Sequence, residues 1–210
     1  MATTSDLTVI NAAATRTGND PVAALSTDGG PVAAIALNNY EDLVKAELSL
    51  YPWKRATKIA QIDRLDADVV GDPPEPWSAA YRIPTDLVDI RSVRVGGYNV
   101  NYEVHGTTIL CDASEGDEVI LQYVWRVPES EWPPWFREGV TRRMEAMFLR
   151  AIGERHNQAD ERDAAARDQF ALAKNRDSQS QTPRDPMISP TLAARTGTPG
   201  LLITRTFPPR

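Results

Sequence analysis

The sequence lacks the features that mark exported, membrane-spanning or disulfide-stabilised chains. Its only cysteine is Cys111, so no intrachain disulfide can form. No stretch approaches the roughly 18 consecutive apolar residues that a membrane-spanning helix needs. The first ten residues, MATTSDLTVI, have neither the basic nor the apolar segment of a secretory signal. We therefore expect a chain that folds in a cytoplasm.

Residues that carry catalysis or bind metals are also scarce. The two histidines, His105 and His156, lie in a predicted hairpin turn and a polar helical segment, without ligand partners at metal-binding spacing. Acidic groups near residues 63–68 and 115–118 lack the ligand series of a calcium loop. A free cysteine in an alternating apolar stretch, such as Cys111, usually behaves as a small buried hydrophobe, although a reactive thiol is the alternative. We expect no enzyme, no metal and no cofactor, while a serine with distant partners stays open.

Positive charge is sparse outside the C-terminal segment. The net charge is −6, and residues 178–210 carry four arginines against one aspartate, so residues 1–177 carry −9. An acidic body argues against binding to a phosphate backbone, which requires clustered lysine and arginine. The basic tail is too sparse for a nucleic-acid arm and suits an acidic partner surface.

Hydrophobic periodicity predicts helices at the start of the chain. Residues 5–17 read as a helix that Ser5 can cap and Gly18 ends. Proline is tolerated only in the first turn of a helix, so Pro52 should kink or restart the second helix, which we expect to run to about Ile62. The second helix is predicted from apolar residues that recur at spacings of three and four, which is typical of a buried stripe: Leu37, Tyr40, Val44, Leu48 and Tyr51.

The middle of the chain changes to a period of two. A Pro- and Asp-rich loop at residues 63–77 precedes alternating apolar positions, with a turn at His105 and Gly106. These positions predict three or four short antiparallel strands, in residues 89–95, 100–104, 109–111 and 119–127.

The helical period then returns. The sequence WPPW at residues 132–135 opens a region that forms two helices or one bent helix. Its apolar positions are Val140, Met144, Met147, Phe148, Ala151 and Ile152, then Ala159, Ala166, Phe170 and Ala173. The predicted class is α+β, mainly a helical bundle with an inserted small antiparallel β-sheet domain and an extended C-terminal arm. The segments are 1–62 (bundle), 63–128 (loop and β domain), 129–177 (bundle) and 178–210 (arm).

Aromatic residues cluster near the junctions of these segments. We interpret Trp53 and Tyr81 as core residues. For Trp132 and Trp135, core packing and a subunit interface stay equally open, since tryptophan is enriched at interface hot spots.

The C-terminal tail has the composition of a segment that cannot order itself. Ser, Thr, Pro and Gly supply 17 of the last 33 residues, and fixing a backbone costs about 1–2 kcal/mol per residue. Spaced apolar anchors nevertheless suit an arm that enters a neighbour's pockets or adds a strand to its sheet. A tail folded back on its own subunit is the alternative. The predicted partner-binding residues are Met187, Ile188, Leu192, Leu201, Leu202, Ile203 and Phe207, with Arg195 and Arg205.

The order of several short blocks resembles one known family. The blocks are NAA at residues 11–13, LYPWKRA at 50–56, AYRIPTD at 80–86, ILCD at 109–112, WPPWF at 132–136 and FALAK at 170–174, which runs into DSQS at 177–180. Together they resemble the head–tail connector (adaptor) proteins of tailed phages and gene transfer agents, including the tail tubular adaptor of short-tailed phages. The loop at residues 63–75 is longer and more acidic than the family suggests, and residues beyond Pro183 do not align.

The resemblance implies a structural protein of the virion or gene transfer agent particle, which meets its partners in the host cytoplasm during assembly. It implies a homo-oligomeric ring, commonly of twelve copies, under the portal protein, with a tail or stopper protein on its other side. DNA would pass through the lumen without sequence-specific binding, and no membrane is involved. The alternatives from other classes are a small phage-encoded hydrolase and a virion chaperone with a flexible tail.

Overall fold

The computed structural model describes residues 4–26, 29–66 and 73–180, and it has the predicted α+β class. Its helices are α1 (Thr4–Arg16), α2 (Gly30–Ser49), α3 (Pro134–Ala151) and α4 (His156–Gln179), with short 3-10 helices at Lys54–Ala56 and Glu129–Glu131. Its strands are β1 (Thr57–Gln61), β2 (Ala79–Arg82), β3 (Leu87–Val95), β4 (Tyr98–Val100), β5 (Tyr102–His105), β6 (Thr108–Cys111) and β7 (Val119–Trp125).

The strands form two antiparallel sheets, ordered β1-β7-β3-β4 and β2-β6-β5. Successive residues of a strand face opposite sides, so alternate residues of β7 point toward the second sheet. Val119, Leu121 and Tyr123 are buried there with Ile109 and Cys111. The two sheets therefore enclose one apolar core, and we call this pair of sheets the β layer.

The helices bury a second apolar core, and we call them the helical layer. Val9 and Ile10 of α1, Val44 and Leu48 of α2, and Met144 of α3 belong to it. The opposite face of β7 contributes Val124, so the two layers meet at this strand. The predicted stripe of α2 is confirmed at Tyr40, Val44 and Leu48.

The assignment of Leu37 to that stripe was wrong, and Tyr51 lies beyond the end of α2 and is half-buried. Leu37 is 47% exposed because the buried face of α2 passes through Ala36 and Tyr40. Leu37 comes one residue after Ala36, which places it about 100° around the helix from that face.

The predicted helix from Pro52 to Ile62 was also wrong. Helix α2 ends at Ser49, and Lys54–Ala56 forms one 3-10 turn. The following residues form β1, which pairs with β7 from Thr57↔Val124 to Gln61↔Ile120. This long-range pairing overrides the local helical reading, as is common for short segments with weak periodicity. Residues 57–61 of the predicted bundle segment 1–62 therefore belong to a sheet.

The β layer contains more strands than we predicted. The described residues hold seven strands in two sheets, whereas the sequence predicted three or four in one sheet. The turn at His105 and Gly106 is confirmed, because β5 pairs with β6 across it and Gly106 has φ +57°. Strands β2 and β4 have four and three residues, too few for a clear alternation.

Helix α1 and the two helices after residue 132 agree with the predicted boundaries to within a few residues. Helix α1 ends before Gly18, whose φ of +81° suits glycine. The region after residue 132 contains two helices, which Gly153 and Glu154 separate, and the predicted stripe of α4 is buried. Since α1 begins at Thr4, Ser5 lies inside its first turn rather than preceding it.

By internal contacts the chain divides into residues 1–178 and 179–210. The predicted arm falls almost entirely outside the described residues. Within the described part, no helix is both long enough and apolar enough to cross a membrane.

Candidate partner-docking site

The predicted partner-binding residues of the arm all lie beyond residue 180, outside the described residues, so their contacts stay predictions. The two tryptophans proposed for a subunit interface differ from each other. Trp132 is only 4% exposed, and its Nε1 donates a hydrogen bond to the Val127 carbonyl at 3.0 Å. Trp135 is half-buried and packs its ring 5.7 Å from that of Trp53. Of the two, only Trp135 has surface left for a neighbour, and its role stays a prediction.

The end of α4 is fastened to the turn between α2 and β1, and we call this contact the arm root. It consists of Tyr51, Lys54, Lys174, Asp177 and Ser178. A carboxylate oxygen of Asp177 accepts a hydrogen bond from the Lys54 backbone N–H at 3.2 Å. The Lys54 ammonium donates to the Ser178 carbonyl at 3.0 Å, and the Lys174 ammonium lies 5.9 Å from the centre of the Tyr51 ring. The last turn of α4 therefore has a fixed position on the folded body.

The Asp177 carboxylate is buried within this contact and is not a surface group. Its residue is buried, and this burial raises the pKa of Asp177 above the usual range, although the Lys54 backbone N–H and ammonium oppose the shift. A buried carboxylate costs free energy unless a donor or cation offsets the lost hydration. Lys54 provides both, because its backbone N–H is the donor and its ammonium group is the cation.

An aromatic cluster lies beneath the arm root. The Trp53 ring centre is 5.0 Å from that of Phe136 and 6.4 Å from that of Phe170. The Trp53 Nε1 donates to the Glu47 carbonyl at 3.1 Å, which satisfies its only polar atom. Phe170 fits over Gly139, where an added Cβ would come within 2.7 Å of its ring. The sequence interpretation of Trp53 as a core residue is confirmed.

The outer surface beside the arm root is apolar and basic. Leu50, next to Tyr51, is exposed, as is Leu172 on the last turns of α4. Arg55 is exposed as well. Exposed leucines near a contact of fixed geometry are suited to contact with another molecule.

Sequence reasoning did not identify the arm root. One signal was present: Asp177 falls four residues after Ala173 and seven after Phe170, on the buried stripe of α4. A carboxylate on an apolar stripe requires a partner. Its partner, Lys54, is 123 residues away in sequence, and no local pattern connects the two.

Buried carboxylates elsewhere in the helical layer are also paired. Glu129 accepts hydrogen bonds from Tyr40 at 3.1 Å and from Arg126, and Arg126 also binds Glu41. Burial is the main cause that raises the pKa of Glu129, followed by a hydrogen bond with Asp6, while Arg126 opposes the shift. Such groups connect elements that are distant in sequence.

The same pairing recurs at the contact between α1, α3 and α4. Glu145 of α3 binds Arg16 of α1 at 3.0 Å, and Arg162 of α4 lies 3.4 Å from its other oxygen. Glu47 of α2 binds Arg143 of α3 at 2.9 Å, and Arg143 also binds Asp163 of α4. These contacts join the four helices to one another.

The groups considered as reactive in the sequence have ordinary surroundings. Cys111 is buried, as expected, and burial raises the pKa of its thiol to about 11. His105 lies 3.0 Å from Glu103, and His156 is exposed at the first position of α4. In residues 4–26, 29–66 and 73–180, no group of three or more His, Cys, Asp or Glu side chains is placed to hold a metal ion.

A scan against protein-family models finds no match for this chain, and a search of curated proteins finds no significant similarity.

Proposed function

We propose that this chain is a structural head–tail connector subunit of a phage or gene transfer agent. In this role, copies form a ring beneath the portal, commonly of twelve, and join the capsid to the tail. The helices act as a bundle, the β layer is its inserted domain, and residues 178–210 are an extended arm that docks on the portal. The ordered sequence blocks that resemble connector proteins support this proposal.

The single observation that carries the proposal furthest is the arm root. Asp177 and Ser178 hold the end of α4 against Lys54, so a binding segment attached there starts from a defined point. An arm that binds weakly gains avidity when a closed ring presents many copies in register. A fixed starting point raises the effective concentration of each arm at its pocket, because less of the chain has to be ordered on binding.

The charge of the body also suits a DNA conduit. Residues 1–177 carry a net charge of −9. Like charge on the wall of a channel prevents the duplex from adhering as it passes. A density map of the assembled ring should show a lumen rich in aspartate and glutamate, whereas a lumen lined by lysine and arginine would contradict this part of the proposal.

The direct test is deletion of residues 183–210. We expect the truncated chain to keep the circular dichroism spectrum and melting temperature of the full chain, because these residues follow the arm root. Binding to the purified portal oligomer should be lost. A variant with Met187, Ile188 and Leu192 changed to serine should behave in the same way.

The matched control keeps the anchors and changes polar arm residues, for example Ser189→Ala with Thr191→Ala. This variant should bind the portal like the unmodified chain. Particle assembly at normal yield by the truncated chain would sink the docking proposal.

A further inference from the structure

Within residues 4–26, 29–66 and 73–180 the two sheets have four outer edges, and three of them are protected. Residues 63–65 close the edge of β2, because Leu65 N–H donates to the Ala80 carbonyl at 2.8 Å and Arg82 N–H donates to Asp63 at 3.2 Å. Along β5, Glu103 binds Trp77 and His105, so charged side chains occupy that edge. Strand β4 has only three residues. Short strands, charges and covering segments are the devices by which proteins prevent edge pairing.

On the remaining edge, that of β1, backbone groups point outward without a partner strand among the described residues. In an antiparallel pair, successive residues direct their backbone N–H and C=O groups alternately toward the partner strand and away from it. Ile62 directs its groups toward β7, because its N–H donates to the Val119 carbonyl at 3.0 Å. By this alternation the backbone groups of Ala60 and Lys58 face β7, whereas those of Ile59 and Gln61 face outward. In the described part of the chain, no strand or bridge pairs with that outer side. The N–H and C=O groups of two residues therefore form an open template.

The side chains of β1 do not guard this edge. Ile59 is 63% exposed, which is unusual for an isoleucine in a strand. A lysine commonly protects an edge strand, but the Lys58 ammonium lies 3.5 Å from the centre of the Trp125 ring and pairs with Asp86. Lys58 is thereby held over a neighbouring side chain. An added strand would pair the free backbone groups and cover Ile59.

We infer that the outer edge of β1 accepts residues 201–207 from the arm of a second copy of this chain. The inference rests on the proposed function, since it names one partner of the arm. The segment reads LLITRTF, and Ile203, Thr204, Thr206 and Phe207 are of the β-branched and aromatic types that favour strands. Pro199 and Gly200 precede it and Pro208 follows, which limits the strand to the length of β1 with one residue to spare at each end.

The length of the connecting segment favours a neighbouring copy over the same subunit. Helix α4 is fastened to Lys54, which lies three residues before β1 begins. The 20 residues from 181 to 200 can extend to about 66 Å, whereas a five-residue strand is about 17 Å long. Connections longer than about 12–15 residues are uncommon inside one compact domain. The arm is therefore long enough to reach beyond its own subunit.

The charges of the two partners are also complementary. Residues 178–210 carry a net +3 and residues 1–177 a net −9. A contact in which one copy's arm meets the next copy's edge is head-to-tail, and such contacts close into a ring when the rotation permits. Each copy would then have its open edge covered by one neighbour. Residues near 187–192 would stay available for the portal.

The test is a cross-link between two distinguishable copies. One full-length chain carries Gln61→Cys and a second, of different mass through a tag, carries Thr204→Cys. A short bis-maleimide added to the concentrated mixture should join one copy of each kind. Cys111 is buried, so the unmodified chain supplies the background. A third chain carries both substitutions. A cross-link within this single chain would overturn the inference, as would a cross-link between two Gln61→Cys chains. The absence of any cross-linked product would also overturn it.

Backbone variants make the test specific to the edge. Ile59→Pro removes an outward N–H without breaking the ladder to β7, because edge strands tolerate proline at such positions. We expect the cross-linked product to fall at least tenfold, with an unchanged β-sheet spectrum. The matched control, Ile59→Thr, keeps the N–H and should keep the product. Gln61→Pro, paired with Lys58→Cys as the cross-linking site, provides a second edge variant if Ile59→Pro fails to fold.

The two proposals fail separately. A chain that cross-links through β1 and does not bind the portal supports the edge contact and rejects the connector role. A chain that binds the portal and gives the same cross-linked yield with Ile59→Pro as with Ile59→Thr rejects the edge contact alone.

Discussion

The helical layer and the β layer are stabilised in different ways. Among the described residues, every buried charged side chain belongs to the helices or to the 3-10 helix before α3: Glu47, Glu129, Glu145 and Asp177. The core of the β layer consists of apolar side chains with Tyr81, Tyr123 and Cys111. The helices are thus positioned by specific charged contacts in addition to apolar packing, whereas the sheets rely on packing and backbone pairing.

This difference has a physical consequence for how precisely the helices are positioned. Buried ion pairs add little net stability, since desolvation offsets the attraction between the charges. They do define which surfaces meet, because a displaced pair leaves an uncompensated charge. The buried ion pairs therefore restrict the relative positions of the helices more than apolar packing alone would. The same restriction applies to the arm root at the end of α4. The comparison predicts that the two layers respond differently to pH and to substitution.

The largest effect should come from breaking the Arg126 contact with Glu129. In Arg126→Met the buried carboxylate loses its cation, which we expect to cost about 3–5 kcal/mol of unfolding free energy at neutral pH. Arg126 opposes the upward shift in the pKa of Glu129, so its removal raises that pKa further. The cost should therefore grow as pH rises above the pKa of Glu129, because the unpaired carboxylate then ionises.

Chemical denaturation at several pH values measures this dependence. Glu41→Gln is the matched control, because Glu41 is the exposed partner of Arg126 and its loss should cost about 1 kcal/mol or less. A cost for Arg126→Met that is the same at acidic and neutral pH would remove the distinction between the layers.

A somewhat smaller, pH-independent effect should follow from Leu121→Ala in the β layer. Leu121 is fully buried, and removing it creates a cavity that should cost about 2–5 kcal/mol. No buried charged residue belongs to the described core around it, so the loss should stay constant between acidic and neutral pH. The same denaturation series measures it, with Ile59→Ala on the exposed edge as the control of small effect. A loss that varies with pH would show a titrating group coupled to this core.

The smallest effect should come from Asp177→Asn at the arm root. The folded pKa of Asp177 is raised, so its favourable contribution is present below the unfolded value and is lost as pH rises through the folded value. Asparagine keeps an oxygen that can accept from Lys54 N–H and removes the charge. At neutral pH we expect a change within about 1 kcal/mol, neutral or stabilising. Asp177→Leu, which removes the acceptor, should be the less stable of the two variants.

The sequence predicted long periodic elements well because their local pattern and their burial agree. The stripe of α4 at Ala159, Ala166, Phe170 and Ala173 is buried as expected, and the β5–β6 turn lies at His105 and Gly106. These elements have either many repeats of one period or a turn signal between alternating runs. Local physics alone is then sufficient for the assignment.

Elements whose structure depends on distant partners were missed. Residues 57–61 form a strand because β7, about sixty residues later, pairs with them. Leu37 was assigned to the wrong face because one apolar residue beside a stripe looks like a member of it. The arm root shares this cause, since nothing near Asp177 in sequence indicates Lys54. The arm itself lies outside the described residues, so its predicted anchors stay predictions.

The most direct measurement of the central claim is the mass of the complex that we propose this chain forms with a portal oligomer. Native mass spectrometry of the mixture should give one dominant species, in which a whole ring of chains is bound to one portal. The isolated chain can remain monomeric without affecting this expectation. A mixture in which chain and portal keep their separate masses at every ratio, with the full arm present, would contradict the account.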